Sequence, residues 1–463
     1  MRKSDMYIDY GSGRGGRPPS FGRILAIILV VVLACGIGFG GYIAAKYYSG
    51  VMKEQEPDAA GTPTPTSFAE AMAGDGDADL TGAAAETGIY GLWYSPKEEI
   101  DDGGSIYDDL DGEVWMADFV DTRTRVDSRG IYLSAQKFNS KLEDALKLVE
   151  QTELNTIVVD IKSDYGSISY QMNSPIAKEA KALSWTIPDV GKFIERLHGM
   201  GIYVIARVVT MKDPVISKSR PDLCIYKTDG QLYKDNTGYT WLNPYNEEAW
   251  DYIIEVCKCC AEDGFDEVNL DYIRFPTDKG NLGAESYDYG DIVNEVSKID
   301  AISNGIKKLC EEVKPLGCFV SCDLFGAVIT SSIDAKIVGQ SYFRMAQYLD
   351  YLCPMVYPSH YANGYYNLDY PDCHPYELVY NAMLDSRKVL YMIDDTVGNK
   401  AQVRPWLQDF TASWVKHHLN YGKKEVRDQI QAVYDSGYSG WLLWNAGIVY
   451  TKDALLSAEE AGK

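Results

Sequence analysis

The stretch "GFDEVNLDYIRFP" (264–276) decides how the chain folds. It reads as an apolar strand whose end carries Asn269, Asp271 and Arg274. Polar groups inside a core strand cost free energy unless they are paired or used. Side chains alternate along a strand, so Asn269 and Asp271 share one face and Val268 and Leu270 the other. That division suits the wall of a barrel, with one set turned to the lumen and the other to a surrounding layer of helices.

The neighbouring segments repeat the pattern. Strand-like runs occur at "GIYLSA" (130–135), "TIVVDIK" (156–162), "IYVIARVV" (202–209), "EVNLDYI" (267–273), "CFVSCDLFG" (318–326), "DYLCPMVYP" (350–358), "VRPWLQDF" (403–410) and "GWLLWN" (440–445). Between them lie helical patterns such as "SKLEDALKLVEQ", "IPDVGKFIERLHGMG" and "KKEVRDQIQAVYDSG", the last two ending in a glycine stop. Eight strands alternating with helices predict an α/β fold, a (β/α)8 TIM barrel. The rival, an open doubly wound sheet, would bring a glycine-rich phosphate loop after its first strand, and the sequence has none.

Strand alternation then assigns lumen faces. Val158, Asp160 and Lys162 share one face of the second strand, and Tyr203, Ile205 and Arg207 one face of the third. Phe319, Ser321 and Asp323 share one face of the fifth. Carboxylates, cations and an amide thus converge on the C-terminal rim, where barrel active sites sit.

Composition narrows the function classes. The chain has 463 residues, 46% hydrophobic, with a net charge of -23, which argues against a nucleic-acid partner. Its 35 Tyr, beside 9 Trp and 12 Phe, fill cores and also suit a sugar-binding cleft. Only 5 His occur, and no GxSxG marks a serine hydrolase.

The N-terminal region is organised differently. Residues 1–23 are basic, and 24–45 form an uncharged apolar run long enough to span a bilayer. A cleaved signal peptide would have a shorter apolar region. The expectation is a single-pass anchor with a cytoplasmic N-terminus and the barrel outside the cell. Residues 46–88, rich in Ala, Gly, Thr, Pro and Asp, read as a flexible linker. Residues 89–128 are an acidic, aromatic lead-in, and 129–463 the barrel domain. Ten cysteines, one of them Cys35 in the apolar run, match no disulfide or zinc spacing and are expected to be buried reduced thiols.

Several longer motifs carry a family resemblance: "GFDEVNLDYIRFP", "VVDIKSDYGSISY", "PMVYPSHYANGYYN", "DCHPYELV", "RPWLQDF" and "SGWLLWNA". Over about residues 128–450 the chain resembles a bacterial glycosyl hydrolase domain family grouped with the α-amylase-like TIM barrels. The resemblance implies sugar chemistry.

Most glycosidases use two carboxyl groups flanking the scissile bond. Asp271, inward-facing at the end of the fourth strand, is the candidate nucleophile, and the amylase-like pattern also uses an Asp there. Arg274 just beyond it is expected to hold it ionised. Asp323 at the end of the fifth strand is the candidate acid, where that pattern has a Glu. Asp160 is the alternative acid or a ligand for sugar hydroxyls. The substrate-binding set is completed by Lys162, Arg207, Asn269, Tyr357, His360, Trp406, Gln408, Trp444 and Asn445. His360 is read as a hydrogen-bond donor to a sugar hydroxyl, and Trp406 and Trp444 as walls of the cleft. Asp409 is expected to turn toward the helices, leaving Gln408 inside. No metal or cofactor is assigned, and the oligomeric state is left open. The expected function is hydrolysis of a cell-surface or environmental polysaccharide. The alternatives are a non-catalytic carbohydrate-binding barrel and a metal-dependent carbohydrate esterase or deacetylase.

Overall fold

The computed structural model describes residues 121–235, 237–277, 287–393 and 400–463. The apolar run 24–45, the linker and most of the acidic lead-in lie outside the described residues, as does Cys35. Among the described residues no helix is long and apolar enough to cross a membrane.

The strands are β1 (Arg129–Leu133), β2 (Thr156–Lys162), β3 (Tyr203–Val209), β4 (Glu267–Asp271), β5 (Phe319–Phe325), β6 (Tyr351–Met355), β7 (Gln402–Val403), β8 (Trp406–Gln408) and β9 (Trp441–Trp444). Every pairing between them is parallel, and the ring closes in the order β1-β2-β3-β4-β5-β6-β8-β9 and back to β1. The short β7 pairs only with β6 at its edge. This is the (β/α)8 barrel expected from the alternation of strands and helices.

One expected strand is broken. The run 403–410 is interrupted at Arg404 and Pro405, between β7 and β8. Proline has no N–H for the ladder, and the Arg404 side chain is drawn into the lumen by Glu267.

Helices α1 (Phe138–Gln151), α2 (Pro175–Glu179), α3 (Val190–Gly199), α4 (Glu247–Glu262), α5 (Lys298–Val313), α6 (Ser332–Val338), α7 (Tyr342–Tyr348), α8 (Pro375–Tyr391) and α9 (Lys423–Asp435) fill the crossovers. Side chains cap the first turns of α3, α4 and α5: Asp189 accepts from the Lys192 N–H at 3.0 Å, Asn246 from Ala249 at 3.2 Å and Ser297 from Asp300 at 3.1 Å. After α3 and α9 the chain turns through Gly201 and Gly437, with φ of +70° and +86°, the left-handed stop that glycine permits. The outward strand faces pack under these helices, with Val159, Ile161, Ala206, Val208, Val268, Leu270 and Val320 fully buried. The nine cysteines among the described residues are unbridged; eight are buried, and Cys373 is half-buried.

Residues 121–128 of the lead-in run across the N-terminal end of the barrel. Arg123 donates to the Cys318 carbonyl at 2.7 Å and to Asp350 at 3.1 Å, and it lies 4.4 Å from the Phe319 ring. Deeper in the lumen, Arg404 grips Glu267 with both terminal nitrogens, while Tyr203 and Ser321 donate to the same carboxylate at 3.0 and 2.5 Å. Both charged side chains are sealed from water, with 1% and 0% exposure.

Removing one member of such a pair leaves the other charge buried without compensation. Arg404→Met should therefore cost about 3–5 kcal/mol, and the double variant Glu267→Gln/Arg404→Met should recover most of that loss. Urea denaturation of the two variants checks this. A single-variant loss below about 1 kcal/mol would remove the pair from the account of stability.

Candidate active site

Arg207 stands at the centre of the upper lumen. It extends from β3 and is 2% exposed. Its Nε and Nη2 donate to Asp271 Oδ2 at 2.9 and 2.5 Å, its Nη1 to Asp160 Oδ1 at 2.5 Å, and its Nη2 to Asp164 Oδ1 at 3.0 Å. Burial works to discharge the guanidinium, but the carboxylates of Asp271, Asp160 and Asp164 outweigh it and hold its pKa well above the ordinary value. Asp160 has both oxygens engaged, since Tyr132 donates to Oδ2 at 2.6 Å. Burial raises the Asp160 pKa against the opposing charge of Arg207.

Asp271 ends β4 with a side chain 13% exposed. Its Oδ1 accepts the Tyr272 backbone N–H at 2.6 Å. Tyr272 has φ +52°, a left-handed conformation that bulky residues rarely adopt and that functional sites often hold. The expected charge partner was Arg274, but the structure puts Arg207 there instead. Arg274 turns outward over the rings of Phe325, Trp241 and Tyr272, at 4.8, 5.0 and 5.2 Å, and donates to the Phe275 carbonyl at 2.9 Å. Proximity in sequence misled here: the chain turns at Tyr272, so a residue three places on leaves the lumen.

Asp323 lies on β5, one step beyond the Leu270–Cys322 register pair, beside Asp271 on the next strand. Asn269 Nδ2 and Trp406 Nε1 both donate to its Oδ1, at 3.0 and 2.6 Å. Burial first, and then the negative charge of Asp271, push its pKa up to about 8, against the opposing pull of Asn269, Trp406 and Arg207. Asp323 therefore favours its neutral form more than an ordinary carboxyl group does. With both donors on Oδ1, its proton belongs on Oδ2. The two neighbouring carboxyl groups thus sit in unlike surroundings: Asp271 is salt-bridged and partly open to solvent, while Asp323 is buried with its pKa raised.

Other expected contacts are placed elsewhere. Lys162 was read on the lumen face with Asp160, but the β2–β3 register shifts between these two residues. Such a bulge reverses the facing of the residues beyond it. Lys162 points into the layer under α4, 0% exposed, 2.9 Å from Asp213 and 5.8 Å from the Tyr252 ring. Gln408 is fully buried and has both amide ends engaged: Oε1 accepts from the Ser359 N–H and Oγ at 3.1 and 2.7 Å, while Nε2 donates to Asp372 and the Phe410 carbonyl at 3.0 and 3.1 Å. Asn445 braces its loop, donating to the Asp409 carbonyl at 2.5 Å and accepting from the Gly447 N–H at 2.7 Å. These three support the site rather than face substrate. Asp409 has both oxygens taken by Thr451, at 2.6 and 2.8 Å, in the loop after β9.

His360 also differs from its expected role. Ser359 has one hydroxyl hydrogen, donated to Gln408, so the 2.9 Å contact of Ser359 Oγ with His360 Nδ1 requires the hydrogen on Nδ1. Burial lowers the His360 pKa to about 4. Its Nε2 is therefore a bare lone pair at neutral pH, an acceptor and not a donor. Trp444 stacks on Tyr132 at 4.3 Å and meets Trp406 edge-on at 5.7 Å, forming one wall above Arg207. The Tyr357 ring is buried near Asp323 and Asp271, whose charges raise its pKa after burial does. Tyr361, Tyr365 and Tyr366 pack on one another in the same loop. Tyr132 and Asp164 are contributors that the strand pattern alone did not single out. Tyr132 was legible as an inward residue of β1; Asp164 lies past the bulge, where alternation no longer applies. Among the described residues no group of three or more His, Cys, Asp or Glu is placed to hold a metal.

The closed parallel (β/α)8 barrel thus carries two neighbouring carboxyl groups at its C-terminal rim, Asp271 paired with Arg207 and Asp323 buried under two donors. The chain belongs to the family described as "Putative glycosyl hydrolase domain", whose model matches residues 130–450. Similar solved structures include a hypothetical protein from Ruminiclostridium thermocellum, 34% identical over 42% of this chain and 96% of that one, with a TM-score of 0.38. The glycoside hydrolase domain of PgaB (BpsB) from Bordetella bronchiseptica is 13% identical over 70% of this chain and 95% of its own, with a TM-score of 0.49. An α-galactosidase from Thermus thermophilus is 12% identical over 73% and 61%, with a TM-score of 0.42. No curated protein matches the chain.

The raised pKa of Asp323 has a thermodynamic consequence. Between its ordinary value of 3.8 and about 8, the native state holds a proton that the unfolded chain releases. Stability from this group is therefore present at low pH and lost as pH rises through that window. Asp323→Asn keeps the shape and cannot ionise, so its melting temperature should rise relative to the parent between pH 5 and pH 9. Thermal unfolding of both proteins across that range checks this, and a difference independent of pH would contradict the neutral-acid assignment.

Proposed function

We propose that the protein is a glycoside hydrolase with Asp271 as nucleophile and Asp323 as general acid. The observation that carries this reading is the unlike setting of two carboxyl groups on adjacent strands, Asp271 salt-bridged to Arg207 and Asp323 buried under Asn269 and Trp406. Environments that push paired carboxyl groups apart divide the acid and nucleophile roles between them. Neighbouring strands run about 4.8 Å apart. Asp271 and Asp323 stand side by side on two such strands, just past the Leu270–Cys322 pair, close enough to flank one glycosidic bond.

In the first step Asp323 Oδ2–H gives its proton to the glycosidic oxygen, and Asp271 attacks the anomeric carbon as the bond to that oxygen breaks. The product is a glycosyl ester on Asp271, with Asp323 now a carboxylate. Esterification removes the Asp271 charge, one of the causes of the raised Asp323 pKa. The Asp323 carboxylate can then take a proton from water as that water displaces Asp271 from the sugar. Arg207 keeps Asp160 and Asp164 as partners throughout. The uncharged run 24–45 and its basic flank support an extracytoplasmic barrel anchored in the membrane, with a polysaccharide as substrate.

The test uses the full chain against a panel of polysaccharides and aryl glycosides. Asp271→Asn should lower turnover by a factor of about 10⁴ or more on every cleaved substrate. Asp323→Asn should lose comparably on polysaccharides but retain the first step on dinitrophenyl glycosides, whose leaving group needs no proton. Release of reducing ends and of dinitrophenol are the readouts, with melting temperature as the control for folding. Folded variants that hydrolyse as the parent does would end this assignment.

A further inference from the structure

The rim beside the candidate carboxylates continues outward over two loops, 356–374 after β6 and 409–422 after β8. Aromatic rings mark the route. The buried Tyr357 ring lies 5.9 Å from Phe410, His360 stands edge-on to Phe410 at 6.4 Å, and Phe410 is near-parallel to Trp414 at 6.0 Å and 19°. Trp414 is 41% exposed. The run therefore leads from the buried Tyr357 ring to one that is open to solvent, so its outer end is reachable by a ligand. The same run carries a polar group of fixed sense. Asp372, Gln408 and Ser359 form a hydrogen-bonded chain that ends on His360 Nδ1. Among the described residues His360 Nε2 has no hydrogen-bond partner.

We propose that these two loops form a remote sugar subsite, with Phe410 and Trp414 as the stacking face and His360 Nε2 as the acceptor for a sugar hydroxyl. The subsite rests on the hydrolase reading and extends it: the substrate is a glycan chain several units long, not a single terminal glycoside. Sugar rings present an apolar C–H face that covers an aromatic ring, and hydroxyls at the edge that need polar partners. A lone pair held at Nε2 accepts from a hydroxyl and repels a carboxylate, so a uronic acid is disfavoured at this position. The Gln408 amide fixes that choice, because its Oε1 already accepts from Ser359 and its Nε2 already donates to Asp372.

The experiment measures binding to the full chain carrying Asp271→Asn, by calorimetry. The ligands are maltohexaose, cellohexaose, mannohexaose and chitohexaose, with the corresponding disaccharides. At least one hexasaccharide should bind about tenfold or more tighter than its disaccharide. Trp414→Ala should remove most of that gain, and His360→Phe, which keeps a ring but loses the acceptor, should reduce it severalfold. Tyr391→Ala, at an exposed ring elsewhere (78% exposed), should leave it intact. Equal affinity for hexasaccharide and disaccharide, binding of none of the hexasaccharides, or unchanged binding by both rim variants would overturn the subsite. Length-dependent binding without release of reducing ends by the parent protein would instead remove the hydrolase reading and leave the subsite standing.

Discussion

The upper lumen is organised by one guanidinium shared among three carboxylates. Arg207 bonds Asp160, Asp164 and Asp271 at once. A planar fork with five N–H donors makes these four bonds at once, where an ammonium has only three donors. The arrangement fixes Asp271 on one side. On the other, the Asp271 charge reaches Asp323 and helps raise its pKa. The pKa of the second carboxyl group therefore depends on the first, and Arg207 holds the first in place. Tyr132 and the stacked Trp444 close the same guanidinium from the opposite wall.

A second buried ion pair in the same lumen shows what a purely structural arrangement looks like. Glu267 and Arg404 pair one to one, sealed from solvent, and the carboxylate is further satisfied by Tyr203 and Ser321. Charge is balanced, and neither group adjoins the rim. Around Arg207 the balance is unequal, with three carboxylates to one cation, and Asp164 and Asp271 reach solvent with side chains 39% and 13% exposed. A buried pair kept only for stability has no reason to carry surplus charge or an opening, since both add desolvation cost. The two layers of one barrel thus separate a fastening from a site.

Much of the fold was legible because barrel strands obey period-two alternation and their helices carry capping residues. The placements of Asp160, Arg207, Asn269, Asp271 and Asp323 followed from that alternation alone. The failures have local causes. Lys162 was lost to a bulge, which no residue pattern in "VVDIKSDYG" announces. Arg274 was lost to the left-handed turn at Tyr272, which reverses the chain just where sequence neighbours were assumed to be spatial neighbours. Gln408 and Asn445 were correctly placed near the rim, but their hydrogen bonds are spent on loop backbone and side chains from segments distant in sequence. Arg404 was not recognised because Pro405 breaks the run in which it sits.

The orientation of Asp323 depends on residues that strand alternation finds but cannot rank. Asn269 lies two residues before Asp271 on β4 and donates both to Ser321 and to Asp323 Oδ1. Trp406, two strands along the ring from β5 in β8, donates to the same oxygen. Two donors on one oxygen favour the carboxylate, while burial and the Asp271 charge favour the acid, and the second pair prevails. The donors still decide geometry, because they leave the other oxygen to carry the proton. Had Trp406 been only a wall of the cleft, a leucine could fill its place. Its indole N–H gives it a second duty, and the broken strand at Pro405 sets β8 where that N–H reaches Asp323. The irregularity that obscured the seventh strand in the sequence thus belongs to the construction of the site.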